Sequence, residues 1–376
     1  MNIRKIFFWL HLIIGCATAI FIFLMSITGV ALTYERQMIK AAERSDYPVT
    51  PAPSTATIAL SEILLIAKGY PTKRSAEIVV ENYPNAPIIV KDGRKKVAYL
   101  NPHTGEEMVV PGQATKTFLR KLRAFHRWLT LDGKFSETGR WVNGIANFIF
   151  MILILSGLYL WLPKRFRSKA FKQRLILSGN YPSKSARNSQ WHNVFSFYMA
   201  PVLFVLVVTA FFFSFKWPAN TLKEMVSTES ISLAKPVEVS AQQASQHLSI
   251  KQQLVKVKAL YPQWQSIQFS LDASLESTPT NSKIYQVDKG NGGEPQKRLK
   301  VLLNASTGEI IQELNFDQLS TYSKLRGYIR FLHTGEVYGL IGQTIAGIAS
   351  LLACLLVYTG VMLSWRRWRN SRKVKR

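Results

Sequence analysis

The sequence predicts a membrane α-helical bundle of four transmembrane helices, built by internal duplication, with two extracytoplasmic α+β modules. Three observations predict it. Four apolar stretches are long enough to cross a bilayer, the basic residues gather beside those stretches, and the same short motifs recur in the same order in both halves of the chain.

A hydrocarbon core requires about 20 apolar residues per helix. The four stretches run from Phe7 to Tyr34, Trp141 to Leu162, Trp191 to Trp217 and Tyr338 to Trp365. Trp or Tyr stands at or near their ends, as an interfacial aromatic belt requires. Lys216, at the edge of the third, is the one Lys, Arg, Asp or Glu within them. Arg4 and Lys5 precede the first stretch in the manner of a signal peptide. Its core is too long for one, however, and its exit, Val30-Ala-Leu-Thr-Tyr-Glu35, lacks a small-x-small cleavage site, so a retained anchor is expected. Hydrophobic residues make up 47% of the 376 residues. A mean hydropathy of +0.04 lies between soluble and all-membrane chains and fits spans joined to soluble parts.

The formal charge of +26 is unevenly placed. Residues 163–190 carry eight Lys/Arg and no acid, the tail after Trp365 carries seven, and the amino terminus two. The two long segments between spans are near +6 and +3. Positive charge is retained on the cytoplasmic side. Both termini and the 163–190 loop are therefore expected there, with the long segments outside. Nucleic-acid binding is the rival reading of so basic a chain, and the charge flanking the spans argues against it. Cys16 and Cys354 both fall inside spans, so neither a disulfide framework nor a zinc site is expected. No Cys-x-x-Cys-His occurs, which excludes a covalently attached c-type haem.

The resulting organisation is a first transmembrane helix over 1–34, an outer module over 35–118, a juxtamembrane segment and second helix over 119–165, and a basic cytoplasmic loop over 166–189. A third helix over 190–217, a second outer module over 218–320, a juxtamembrane segment and fourth helix over 321–367 and a basic tail over 368–376 complete it.

The duplication is read from aligned motifs. Trp9-Leu-His11 leads into the first span and Gln190-Trp-His192 into the third, and each His is followed 17 residues later by Thr28 or Thr209. Gly139, Gly144 and Gly157 keep the mutual spacing of Gly342, Gly347 and Gly360. Arg123-Ala-Phe-His126 and Arg330-Phe-Leu-His333 precede them, with four extra residues after the first. Tyr99-Leu-Asn-Pro-His-Thr-Gly-Glu106 matches Leu302-Leu-Asn-Ala-Ser-Thr-Gly-Glu309, and each reads as strand, turn, strand. Each outer segment also has an earlier amphipathic helix, near Ile58–Lys68 and Ala241–Leu260. Short strand-like stretches follow at Glu77–Val80, Ile88–Val90 and Ser266–Leu271. Residues 273–296, rich in Ser, Thr, Asn and Gly, read as a long hairpin loop.

Of six His, His103 and His247 fall in the outer segments and read as ordinary solvated residues. His11 and His192 form a repeat-related pair near one membrane face, and His126 and His333 a pair near the other. A lone interfacial His is commonly a headgroup-level residue, and span glycines often serve only helix packing. The symmetry of the set is what points further. Two neutral imidazoles facing each other across helices are suitable axial ligands for haem iron. Gly15, Gly29, Gly144, Gly157, Gly347 and Gly360 would admit the plane of a porphyrin. Arg123 and Arg330, one helical turn before their His, would pair with its propionates. Zn²⁺ or Cu also takes His, but carboxylate or thiolate partners at suitable spacing are lacking. No Gly-x-Gly-x-x-Gly follows a strand, so no dinucleotide site is expected. The basic stretch Phe118–Phe125 reads first as an interfacial amphipathic helix and second as an attractor of acidic chelates.

The span–module–span–span–module–span order resembles the PepSY-associated transmembrane helix family over nearly the whole chain. The Asn-x-x-Thr-Gly-Glu turns are similar to the end of a PepSY module. The segments His126-Arg-Trp-Leu to Ser156-Gly-Leu-Tyr-Leu-Trp161 and His333-Thr to Thr359-Gly360 are similar to the family's second and fourth helices. Asn101 and Asn304 stand where the turn commonly has Asp. The resemblance implies an inner-membrane ferric-siderophore reductase with two b-type haems, whose axial ligands would be His11, His126, His192 and His333. It implies iron uptake, and a ferric siderophore and a quinol or cytoplasmic reductase as partners beside membrane lipid. PepSY modules are also associated with protease inhibition, so a non-enzymatic membrane-tethered regulator is the alternative. A small transporter would require charged residues deep in the spans, where none occurs.

Overall fold

In the computed structural model, residues 2–49, 58–72, 76–93, 95–130, 135–164, 167–229, 231–240, 242, 245–271 and 280–373 are described. They fall into two compact units, one helical and one built on a sheet.

The helical unit comprises Met1–Glu35, Thr117–Met225 and Tyr328–Arg376. Its four long helices are α1 (Ile3–Leu32), α5 (Ser136–Trp161), α7 (Lys184–Ser214) and α11 (Gly339–Lys373). All four are long and apolar enough to cross a membrane, so this is a membrane protein with four apolar helices. Each packs on two neighbours, in the cyclic order α1–α5–α7–α11. Two of the starts are capped by side chains: Asn2 accepts from the Arg4 N–H, and Ser183 from that of Ala186.

Inward faces carry small and polar residues, among them Ala349, Ala353, Ser156, Asn147 and Thr359, while Ile13, Ile341 and Leu351 point outward. That inversion suits a lipid solvent, in which close packing and internal hydrogen bonds hold helices together. Asn147 Nδ2 donates to the Val207 carbonyl at 2.8 Å, and Gln343 Nε2 to the Thr33 carbonyl at 2.8 Å.

Two shorter helices, α4 (Gln113–Trp128) and α10 (Thr321–His333), lead into α5 and α11. Both junctions are closed by glycine. A Cβ at Gly139 would lie 1.6 Å from the Trp128 carbonyl oxygen, and one at Gly342 2.2 Å from that of Gly335. Short helices α6 (Ser168–Leu175) and α8 (Trp217–Met225) flank α7.

The sheet unit comprises Arg36–Lys116 and Val226–Gly327. It contains α2 (Glu35–Ser45), α3 (Leu60–Lys68) and α9 (Ile250–Leu260). Its strands are β1 (Glu77–Glu81), β2 (Ile88–Asp92), β3 (Lys95–Leu100), β4 (Ser266–Ser270), β5 (Ser282–Asp288), β6 (Arg298–Asn304) and β7 (Ile310–Leu314). They form one antiparallel sheet in the order β3-β2-β1-β4-β5-β6-β7. The two outer segments, expected as separate modules, are thus joined edge to edge. Strands β1 and β4 pair from Glu77↔Ser270 to Glu81↔Ser266. The shared core includes Ile63 and Ala67 of α3, Val257 of α9, and Ile78, Val90, Leu100, Phe269, Tyr285 and Val301 of the strands.

The two Thr-Gly-Glu turns have matching geometry. Gly105 and Gly308 take φ of +73° and +70°, a region in which Gly has no steric cost. Each donates its N–H to the Asn four residues earlier, at 2.9 Å in both turns. That Asn donates its own N–H to the Glu carbonyl, again at 2.9 Å.

Other expectations need correction. Strand β5 occupies the middle of the supposed 273–296 loop. Its Lys283, Ile284 and Gln286 face partly outward, while Ser282, Tyr285, Val287 and Asp288 are buried, so polar residues on both faces hid the alternation. The second amphipathic helix begins at Ile250, behind a capping box of Ser249 and Gln252, rather than at Ala241. Residues 241, 243, 244 and 272–279 of these two stretches lie outside the described residues.

Candidate functional site

The four membrane-proximal histidines come together in two pairs, each joining the two halves of the chain. His126 and His333 close α4 and α10, and their ring centroids are 6.5 Å apart with planes at 51°. His126 Nδ1 lies 2.8 Å from Thr28 Oγ1 of α1. His333 Nδ1 lies 3.1 Å from Thr209 Oγ1 of α7 and 3.0 Å from the Leu206 carbonyl. Phe213 packs edge-on against His333.

His11 and His192 belong to α1 and α7, near the end of the bundle where both chain termini emerge, and they line one cavity of about 860 Å³. His11 Nδ1 lies 2.9 Å from Ser156 Oγ of α5, and His192 Nδ1 lies 2.9 Å from Thr359 Oγ1 of α11. Gly157 and Gly360, the next residues on those helices, leave space for the rings. A Cβ there would stand 3.3 Å from His11 Cε1 or 3.4 Å from His192 Cε1.

The hydroxyls determine which ring nitrogen is free. Thr28 Oγ1 donates to the Leu24 carbonyl at 2.6 Å, Thr209 Oγ1 to Val205 at 2.7 Å, Thr359 Oγ1 to Leu355 at 2.9 Å, and Ser156 Oγ to Leu153 at 3.3 Å. A hydroxyl has one proton. With that proton directed to its own helix, each oxygen accepts from the histidine Nδ1–H. The Leu206 carbonyl can only accept, which requires the same tautomer of His333. With the protons so assigned, the rings present an unprotonated Nε2, the form that ligates metals. For the pair outside the spans, burial pushes both His126 and His333 down to about 4. The neighbouring His333 adds to the effect at His126, and Arg127 adds to it at both.

The cavity at His11 and His192 has cations of its own. Arg4, Lys5, Lys164 and Arg367 line it with the histidines. Arg4 also donates to the Leu160 and Leu162 carbonyls, each at 2.6 Å, closing the end of α5. The Arg367 guanidinium lies over the Phe8 and Trp9 rings. Arg123, expected to hold a propionate, is ion-paired with Glu35 at 2.8 Å. Arg330 lies over the Phe331 ring. His103 and His247 lie in the sheet unit, and His103 Nε2 meets Asn85 Oδ1 at 2.9 Å.

The donor set suits an iron porphyrin better than a bare ion. Among the described residues no three His, Cys, Asp or Glu group together. A haem brings its equatorial nitrogens with it and needs only two axial donors. At His11 and His192 the cavity, the adjoining Gly157 and Gly360 and the basic lining are compatible with such a group.

Sequence reasoning found the four histidines but not their hydroxyl partners. A signal was present: Ser156-Gly157 and Thr359-Gly360 hold the same place in the two halves, as do Thr28 and Thr209.

No curated protein matches this chain. The family model described as the PepSY-associated TM region matches residues 8–367, from the first span to the end of the fourth. The chain belongs to the family of the PepSY-associated TM region.

Proposed function

We propose that the protein is a haem-b-containing inner-membrane reductase that passes electrons to ferric siderophores in the periplasm during iron uptake. The observation that carries this reading is the set of four histidines, paired between halves, each with Nδ1 at a buried hydroxyl. When bound, b-type haem supplies a one-electron iron couple, and the protein supplies orientation and electrostatics.

His11 and His192 would be the axial ligands at one end of the bundle, and His126 and His333 at the other. Arg4, Lys5, Lys164 and Arg367 would hold carboxylates at the first site. The chain itself is read as two copies of one helix–module–helix unit, related by a pseudo-twofold axis. The matched turns, the antiparallel β1–β4 pairing and the matched hydroxyl tethers support that reading. The positive-inside rule places the termini in the cytoplasm, where a quinol or a cytoplasmic reductase would act as donor. The substrate is Fe³⁺ in a chelate of hard oxygen donors. One electron converts it to Fe²⁺, which such donors hold weakly. A purely regulatory or protease-inhibiting protein would leave the four tethered histidines without a role.

The test is the absorption spectrum of detergent-purified protein from haem-replete cells. A Soret band, sharp α/β bands on reduction and about two haems per chain are expected. His11→Ala and His333→Ala should each lose about one haem. A folded, colourless protein overturns the reading.

A further inference from the structure

The tethers themselves carry a second conclusion. Four hydroxyls, from α1, α5, α7 and α11, each meet one histidine Nδ1 at 2.8–3.1 Å. None of them is a surface residue: Thr28, Thr209, Ser156 and Thr359 are all buried. Each is fixed by a bond back to its own helix, so it accepts along a fixed direction rather than as a free rotor. Every pairing runs between helices. Histidines of α1 and α7 are held by α5 and α11, and those closing α4 and α10 are held by α1 and α7. A hydroxyl needed only for solvation in lipid is already satisfied by its helix carbonyl, so the additional bond to the ring calls for a separate explanation.

We infer that Thr28, Thr209, Ser156 and Thr359 are positioning residues that fix the Nδ1–H tautomer and raise the basicity of each ligating imidazole, and thereby set the potential of the iron that each pair would hold. This inference rests on the haem reading above. An Nδ1–H donating to an oxygen pushes electron density toward Nε2, which favours the ferric over the ferrous state and lowers the potential. Loss of the acceptor raises it.

The four tethers are not equivalent. His333 has a second acceptor, the Leu206 carbonyl at 3.0 Å, and His126 and His192 likewise have a backbone bond, to Met25 and Leu356, so each keeps a partner when its hydroxyl is lost. For His11 the only Nδ1 bond among the described residues is the one to Ser156. Ser156→Ala therefore perturbs its site most, and the three Thr→Val variants less.

The experiment is a spectroscopic redox titration of the full-length protein in detergent, comparing wild type with Ser156→Ala, Thr28→Val, Thr359→Val and Thr209→Val. Thr28→Ser and Thr359→Ser retain the hydroxyl and serve as rescue variants. Each apolar variant is expected to raise the midpoint of one haem and leave the other unchanged, in the order given by the tethers. Its haem affinity is expected to fall about 10–100-fold, and the Ser variants should match wild type. If an apolar variant does not fold, Thr28→Ala and Thr359→Ala provide the same comparison. Haem-loaded variants with wild-type midpoints and affinities overturn the inference while leaving the reductase reading intact. A wild type without haem overturns the reductase reading first, and this inference with it. A uniform shift of both haems in every variant marks a general structural effect and also overturns it.

Discussion

The two units of this chain solve opposite packing problems. In the sheet unit the largest buried side chains are apolar or aromatic, such as Tyr285 at 0% exposure, and its hydrogen bonds run mainly along the ladder. In the helical unit Thr359 is 0% exposed and Gln343 1%, while Ile341 is 74% exposed. Water drives the first unit to hide hydrocarbon. Lipid gives no such drive, so the second is held by close backbone approach and by polar contacts turned inward. One chain therefore carries two hydrophobicity codes, and the histidine pairs sit in the unit where polar residues belong inside.

That contrast can be broken first at the closest backbone contact. Gly139→Val places a side chain where the Trp128 carbonyl lies 1.6 Å from the added Cβ. Loss of monodisperse protein on size-exclusion chromatography in detergent is the expected outcome, and a normal elution profile would contradict the tight α4–α5 junction. The next largest effect belongs to the sheet. Tyr285→Ala should destabilise that unit by about 3–5 kcal/mol, like other buried aromatic truncations. Ile341→Ala, at an outward position of α11, should stay within about 0.5 kcal/mol. Chemical denaturation followed by far-UV circular dichroism separates the two.

A charge sharpens the comparison further. Leu351→Asp, on the outward face of α11, should cost about 2.5–3.5 kcal/mol in a membrane-insertion assay. Ile311→Asp in β7, already 48% exposed, should be close to neutral in the sheet. A smaller loss is expected at a single polar contact. Gln343→Leu removes the bond to the Thr33 carbonyl and should lower bundle stability by about 1 kcal/mol in thermal unfolding.

Much of this was legible in the chain. Span positions follow from runs of uncharged residues, because the length of a membrane helix is set by bilayer thickness. The histidine pairs followed from repeat spacing, and so did Gly139 and Gly342, whose role became clear only once each was seen against a backbone carbonyl. Other features depend on long-range proximity, which no local period encodes. Strands β1 and β4 are about 190 residues apart in sequence, and nothing in Glu-Ile-Val-Val-Glu marks Ser266–Ser270 as its partner. The ion pair of Arg123 with Glu35 of another element is of the same kind, since its distance along the helix from His126 says nothing of it. Strand β5 shows no clean alternation, because Ser282 and Asp288 are buried while Ile284 is partly exposed.

The five rungs between β1 and β4 bear on how the polypeptide could be divided. Expressed as two fragments cut within residues 166–189, each piece would carry a bare inner edge of the sheet, its amide and carbonyl groups unpaired. Such an edge is a strong template for reassociation and equally for aggregation. Co-produced fragments would therefore be expected to recombine through it, whereas either fragment made alone would be drawn to copies of itself.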